Sequence, residues 1–90
     1  MNHPHYSIAC WVYITETGIL RRRTIAFCLD DDLRVCVARM RKQGQSLVYC
    51  RRFGNMVDAL AHKMLLESLG RGSVKKMIRE MNPQYINLAE

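Results

Sequence analysis

Three successive aspartates, Asp30, Asp31 and Asp32, form the densest carboxylate cluster in this chain of 90 residues, and carboxylates at that density can hold a divalent cation. Their setting points elsewhere. They fall between a β-branched run and a stretch of helical spacing, where acidic side chains cap the first amides of a helix and complement its positive end. His3 and His5 have metal-compatible spacing around Pro4, but residues 1–5 read as a mobile terminus. The four cysteines, Cys10, Cys28, Cys36 and Cys50, form no CxxC pair and follow no signal-like segment. They read as reduced, buried, small apolar groups of a cytoplasmic protein, not as zinc ligands or a secreted disulfide framework. No Ser/His/Asp set, phosphate loop or GxGxxG motif is present, and no cofactor is implied. The remaining chemistry is cationic. Fourteen Lys and Arg against eight Asp and Glu leave a net charge of +6, which favours an anionic partner. Arg21 to Arg23, Arg39, Arg41, Lys42, Arg51 and Arg52 are the groups that could meet phosphates.

The elements that must position these groups follow from periodicity. Residues 6–15, "YSIACWVYIT", and 19–29, "ILRRRTIAFCL", are rich in β-branched and aromatic residues and read as a hairpin turning at Thr17 and Gly18, whose glycine supplies positive φ. Leu33, Cys36, Val37 and Met40 then recur at helical spacing, with Arg34, Arg39, Arg41 and Lys42 on the outer face. Leu47 to Phe53 is a third strand. Asn55 caps a helix with Asp58 three residues on, and Val57, Leu60, Ala61 and Met64 make its apolar stripe. Gly70 and Gly72 end that helix. Ser73 caps a last one, with Val74, Met77, Ile78 and Met81 on one face, which stops before Asn82 and Pro83. The order ββαβαα predicts one α+β domain over 1–90, with a three-stranded antiparallel sheet flanked by helices and a tail at 82–90. No apolar run approaches the ~18 residues of a membrane span.

The same order resembles the GIY-YIG nuclease superfamily, in particular its small single-domain bacterial members. The residues that carry the resemblance are "LVY" at 47–49, "AL" at 59–60 and "KKMIREMNP" at 75–83, with weaker matches in "WVYI" at 11–14 and "AFCLDDDL" at 26–33. It covers nearly the whole chain. The resemblance implies a first-motif tyrosine at Tyr13. It also implies that the second-motif tyrosine is replaced by Ala26, or by Thr24 in the alternative register, the catalytic arginine by Cys36, the histidine by Met40, and the metal-binding glutamate by Lys63. Phosphodiester hydrolysis needs charge stabilisation on the phosphate and an activated nucleophile, usually with a metal held by a carboxylate. A lysine at the metal position repels a divalent cation. Glu67, one turn beyond Lys63, is the one nearby replacement ligand.

The expectation is therefore a pseudoenzyme of this fold that binds nucleic acid without reading its sequence, through Arg21, Arg23, Arg39, Arg41, Lys42, Arg51 and Arg52; the bland reading makes the same residues solvated faces. The alternation of strand side chains sends Arg22 opposite Arg21 and Arg23, and a fully buried arginine without a partner is too costly, which places this part of the sheet at an edge or an open groove. The competing expectation is a protein-interaction or homodimer module with Trp11, Tyr49 and exposed methionines as its contact face. A residual endonuclease with a displaced ligand, Glu67 or the Asp30–Asp32 run, is the third. Tyr13 is either a relic facing a former cleft or ordinary strand packing.

Overall fold

A computed structural model describes residues 8–18 and 22–89. Strand β1 (Cys10–Thr17) is the middle of a three-stranded sheet ordered β2-β1-β3, with β2 (Arg22–Leu29) and β3 (Ser46–Phe53) both antiparallel to it. The position explains the sequence of β1. Covered on both faces, it is nearly continuously buried, so its residues run apolar without alternation. The turn after β1 has Gly18 at φ 71°, the conformation expected of that glycine. Residues 19–21, with Arg21, and 1–7, with both N-terminal histidines, lie outside the described residues.

Helix α1 (Leu33–Lys42) covers one sheet face, and α2 (Met56–Ser68) with α3 (Arg71–Met81) covers the other. The α1 layer packs Cys36 and Met40 on Tyr13, Cys28 and Leu47, with Leu33 and Val37 beside them, as the helical spacing predicts. The opposite layer buries Val12, Ile14, Val48, Tyr49, Ala59, Leu66, Val74 and Ile78. Val48 and Tyr49 are consecutive yet share this face because the β1–β3 register shifts between Ile14 and Thr15, a bulge that removes strict alternation.

Several local expectations are corrected. The three aspartates form a 3₁₀ turn with no side-chain cap bond, because Asp30 is spent on Trp11 and Arg52. Helix α3 begins at Arg71 behind Gly70, so Gly72 and Ser73 lie inside its first turn. Met81 is 57% exposed where the predicted stripe had it inward. The largest correction is the phase of α2. Its buried residues are Ala59 and Leu66, with Met56, His62 and Leu69 half-buried, whereas Val57, Leu60, Ala61 and Met64 face outward. Both faces of this helix are apolar enough to be a core face. The chosen one carries His62, whose Nε2 lies 2.9 Å from the Tyr49 hydroxyl and whose ring leans on Phe53. Asn55 caps α2 as predicted, accepting from the Asp58 amide at 2.8 Å.

Burial of His62, with Arg51 as the second influence, holds its pKa below the usual histidine value. The folded state thus resists a proton that the unfolded chain accepts near pH ~6.5. Stability should be constant above that pH, decline as pH falls through it, and level off below the lower folded value. Urea midpoints at pH 7.5 and 5 should differ in the wild type and converge in His62→Gln; equal pH dependence in both would contradict the assignment.

The C-terminal tail closes the structure. Asn82 is 4% exposed, and its Nδ2 donates to the carbonyls of Val48 (3.1 Å) and Ile86 (2.9 Å) while its Oδ1 accepts from the Ile86 amide. The chain then runs beside the start of β3, with Leu88 N–H donating to Leu47 C=O and Asn87 Oδ1 accepting from Leu47 N–H.

Candidate functional site

Tyr13 is 6% exposed beneath α1. Ala26 is its direct cross-strand neighbour on β2, and Thr24 lies opposite Thr15. Cys36 and Met40 descend from α1 into the same cluster. Burial raises the Tyr13 pKa, with Cys36 and Cys28 adding to it and Arg39 opposing it. The Arg39 guanidinium donates to Cys36 Sγ at 3.7 Å. An arginine thus does reach the cluster around this tyrosine, three residues along the helix from the position that the resemblance assigns to it.

Lys63 is in the other layer. It belongs to α2, across the sheet from Tyr13, and its Nζ donates to Glu67 at 3.2 Å. The carboxylate named as a substitute metal ligand is therefore neutralised by the lysine that replaced the first. Among the described residues no group of three or more His, Cys, Asp or Glu could hold a metal ion.

The nominated cations do not share one groove. Arg39, Arg41 and Lys42 are on α1. Arg52 is on the α1 side of β3, where it donates to Asp30 at 2.9 Å. That contact and the Trp11 indole N–H at 2.7 Å hold the Asp30 carboxylate below its usual pKa. Arg51, one residue earlier, points to the opposite layer and lies 5.0 Å from the Phe53 ring centroid. Arg41 is tied to the Ala89 carbonyl of the tail.

Arg23, at the far edge of the sheet on β2, answers the question raised by the arginine run. It donates through Nε to Glu16 at 2.8 Å, through Nη1 to the Arg71 carbonyl at 3.1 Å and through Nη2 to the Tyr85 hydroxyl at 3.4 Å. Tyr85 in turn donates to Glu16, which is 7% exposed. The expected turn hid this partner: a tight turn at Thr17 and Gly18 would set Glu16 against Ile19, whereas β1 ends at Thr17 and β2 begins at Arg22, and the longer connection sets Glu16 against Arg23.

Two surfaces lie apart from the cations expected to meet phosphates. On α3, Arg71, Lys75, Lys76 and Arg79 recur at spacings that put them within about 140° of the helix circumference at 100° per residue. Three are exposed and Lys75 is half-buried; Gly72 lies between them and Glu80 at their margin. The ion pairs of the described residues join Arg23 to Glu16, Arg52 to Asp30 and Lys63 to Glu67, so none neutralises this band. The α3 N-terminus has no side-chain cap and no acidic residue in its first turn, which leaves its positive end beside the band. The signal is present in "GRGSVKKMIR" at 70–79, which carries the motif of the resemblance and this charge together. The second surface is the outward stripe of α2, where Val57 is 58%, Met64 69% and Leu65 52% exposed. Of the contact face expected from Trp11, Tyr49 and exposed methionines, Met64 lies on this stripe, whereas Tyr49 is 1% exposed and the Trp11 indole is turned to Asp30.

No family model, curated protein or solved structure matches the chain.

Proposed function

We propose that the chain is a catalytically inactive GIY-YIG-like domain that binds nucleic acid non-specifically, through phosphate contacts made by α3. The observation that carries this reading is the unneutralised band of Arg71, Lys75, Lys76 and Arg79 in a protein of net charge +6. From Arg71 to Arg79 the helix rises about 12 Å, the span of three or four phosphates at ~3.4 Å per step of one strand. Cations so placed position a nucleic acid and carry no base readout. Most of the cations first nominated are occupied within the protein, which moves the interface to α3. Among the described residues no helix is long and apolar enough to cross a membrane, and the reading puts the protein in the cytoplasm, where free thiols stay reduced.

Inactivity rests on Cys36, Met40 and Lys63 standing where hydrolysis calls for an arginine, a histidine and a glutamate, and on the Glu67 carboxylate being held by Lys63. Loss of one transition-state donor typically costs about 100- to 1,000-fold, so several losses bring the rate to background. With Mg²⁺ or Mn²⁺, cleavage of plasmid, single-stranded or branched DNA should not exceed that of a matched blank. Metal-dependent cutting that copurifies with the protein and disappears in Glu67→Ala would overturn this and restore the displaced-ligand reading.

A protein-interaction or homodimer module is the second reading, favoured by the exposed α2 stripe. One preparation separates the two: titration with a mixed-sequence duplex at two salt concentrations, and sedimentation over a range of protein concentration. Salt-sensitive binding by a monomer supports the nucleic-acid reading, whereas self-association without binding supports the module.

A further inference from the structure

Between the free edge of β2 and α1 runs a groove of about 450 Å³ lined by Cys28, Leu29, Asp32, Val35, Cys36 and Arg39. Cys28 and Cys36 both line its floor, 7% and 6% exposed, in one packed cluster. Arg39 donates to Cys36 Sγ from the groove side. We propose that Cys28 and Cys36 are a reversible dithiol–disulfide couple, with Cys36 the thiol that reacts with a hydroperoxide and Arg39 the residue that positions and stabilises its sulfur.

The Cys36 sulfur attacks the distal oxygen of the hydroperoxide. The O–O bond breaks, an S–O bond forms, and the alcohol or water leaves with the thiol proton. Cys28 then attacks the sulfenic sulfur of Cys36. The S–S bond forms, the S–O bond breaks, and water leaves carrying the Cys28 proton. Two thiols have lost two electrons and two protons, and the hydroperoxide has gained them. The two cysteines divide these roles by environment. Burial, with Cys36 beside it, pushes Cys28 up to about 12, so it stays protonated and follows, while Cys36 has the cation.

Cys50 is on the same face, but β1 separates β3 from β2, so two strand spacings of ~4.8 Å put Cys28–Cys50 beyond the ~7 Å Cα limit of a disulfide, and Cys50, unlike Cys28, does not line the groove with Cys36. Cys10 packs in the opposite layer. Among the described residues no group of three or more His, Cys, Asp or Glu could hold a metal ion, so a metal site is not the better reading of these thiols. The disulfide would tether α1 to the edge strand β2.

The test treats the intact protein with hydrogen peroxide, quenches, alkylates under denaturing conditions and digests with trypsin. Cleavage after Arg23, Arg34 and Arg39 puts the two thiols on separate peptides, 24–34 and 35–39. The expected result is a linked 24–34/35–39 species, loss of two alkylatable thiols with Cys10 and Cys50 still modified, and full reversal by a dithiol reductant. Cys28→Ser should leave a sulfenic acid on Cys36 that dimedone traps. Arg39→Gln should slow oxidation on the order of tenfold, the worth of one hydrogen bond to a charged group, and Arg39→Lys should restore part of it. Equal alkylation of all four cysteines after peroxide, or oxidation confined to Cys50, would overturn the couple; unchanged kinetics in Arg39→Gln would overturn the part given to Arg39.

Discussion

Replacing Glu16 by alanine is expected to destabilise the fold by about 3 kcal/mol or more, the usual cost of removing one partner from a buried ion pair and leaving the other charge behind. Glu16 is 7% exposed, and the Arg23 side chain above it 20%. Without the carboxylate, Arg23 Nε and the Tyr85 hydroxyl lose their acceptor, and Arg23 keeps only the Arg71 carbonyl and the phenol. The three groups join β1, β2, the start of α3 and the C-terminal tail, so their release should loosen all four. For a domain of this size the cost translates into a fall of roughly 12 to 20 °C in Tm. Glu16→Gln should lose less, because the amide oxygen still accepts. The double variant Glu16→Leu with Arg23→Met should recover much of the loss, since an apolar pair of similar volume leaves no charge unpaired. Thermal and urea unfolding measure all three. A loss below ~1 kcal/mol in Glu16→Ala would mean that water reaches the network and that it does not tie these elements.

The largest functional effect should come from α3. The triple change Lys75→Ala, Lys76→Ala, Arg79→Ala removes three of the four phosphate contacts, each contributing roughly −0.9 to the slope of log affinity against log salt. The slope should flatten by nearly three units, and at 0.1 M salt affinity should fall roughly 500-fold. Stability should change little, as these side chains make no ion pair. The matching change on the other layer, Arg34→Ala with Lys42→Ala, should leave binding nearly intact. If the α1 variant loses binding and the α3 variant keeps it, the interface lies on the other face of the sheet.

Element type and order were legible because the chain punctuates itself clearly. Gly18 turns the hairpin, Asn55 caps α2, and Pro83 keeps α3 from running on. The three-stranded sheet with ββαβαα order follows from those signals and the runs rich in β-branched and aromatic residues. Orientation was less legible. Helix α2 has two apolar stripes, and the inward one contains His62, so counting hydrophobic residues selected the stripe that faces water. The aspartate run looked like a cap because its alternative partners, Trp11 and Arg52, lie on strands 19 and 22 residues away in sequence. Charge was legible in amount and misread in place. Arginines on strands were counted as available until pairing with Glu16 and Asp30 was visible, whereas the α3 band needed only its own helical spacing to be found.

A salt titration of the wild-type protein with a mixed-sequence DNA duplex tests the central claim most directly. Four unneutralised cations on α3 predict weak, sequence-independent binding with a slope of log affinity against log salt between about −3 and −4. Absence of measurable binding to duplex DNA, single-stranded DNA and structured RNA at low salt would contradict it.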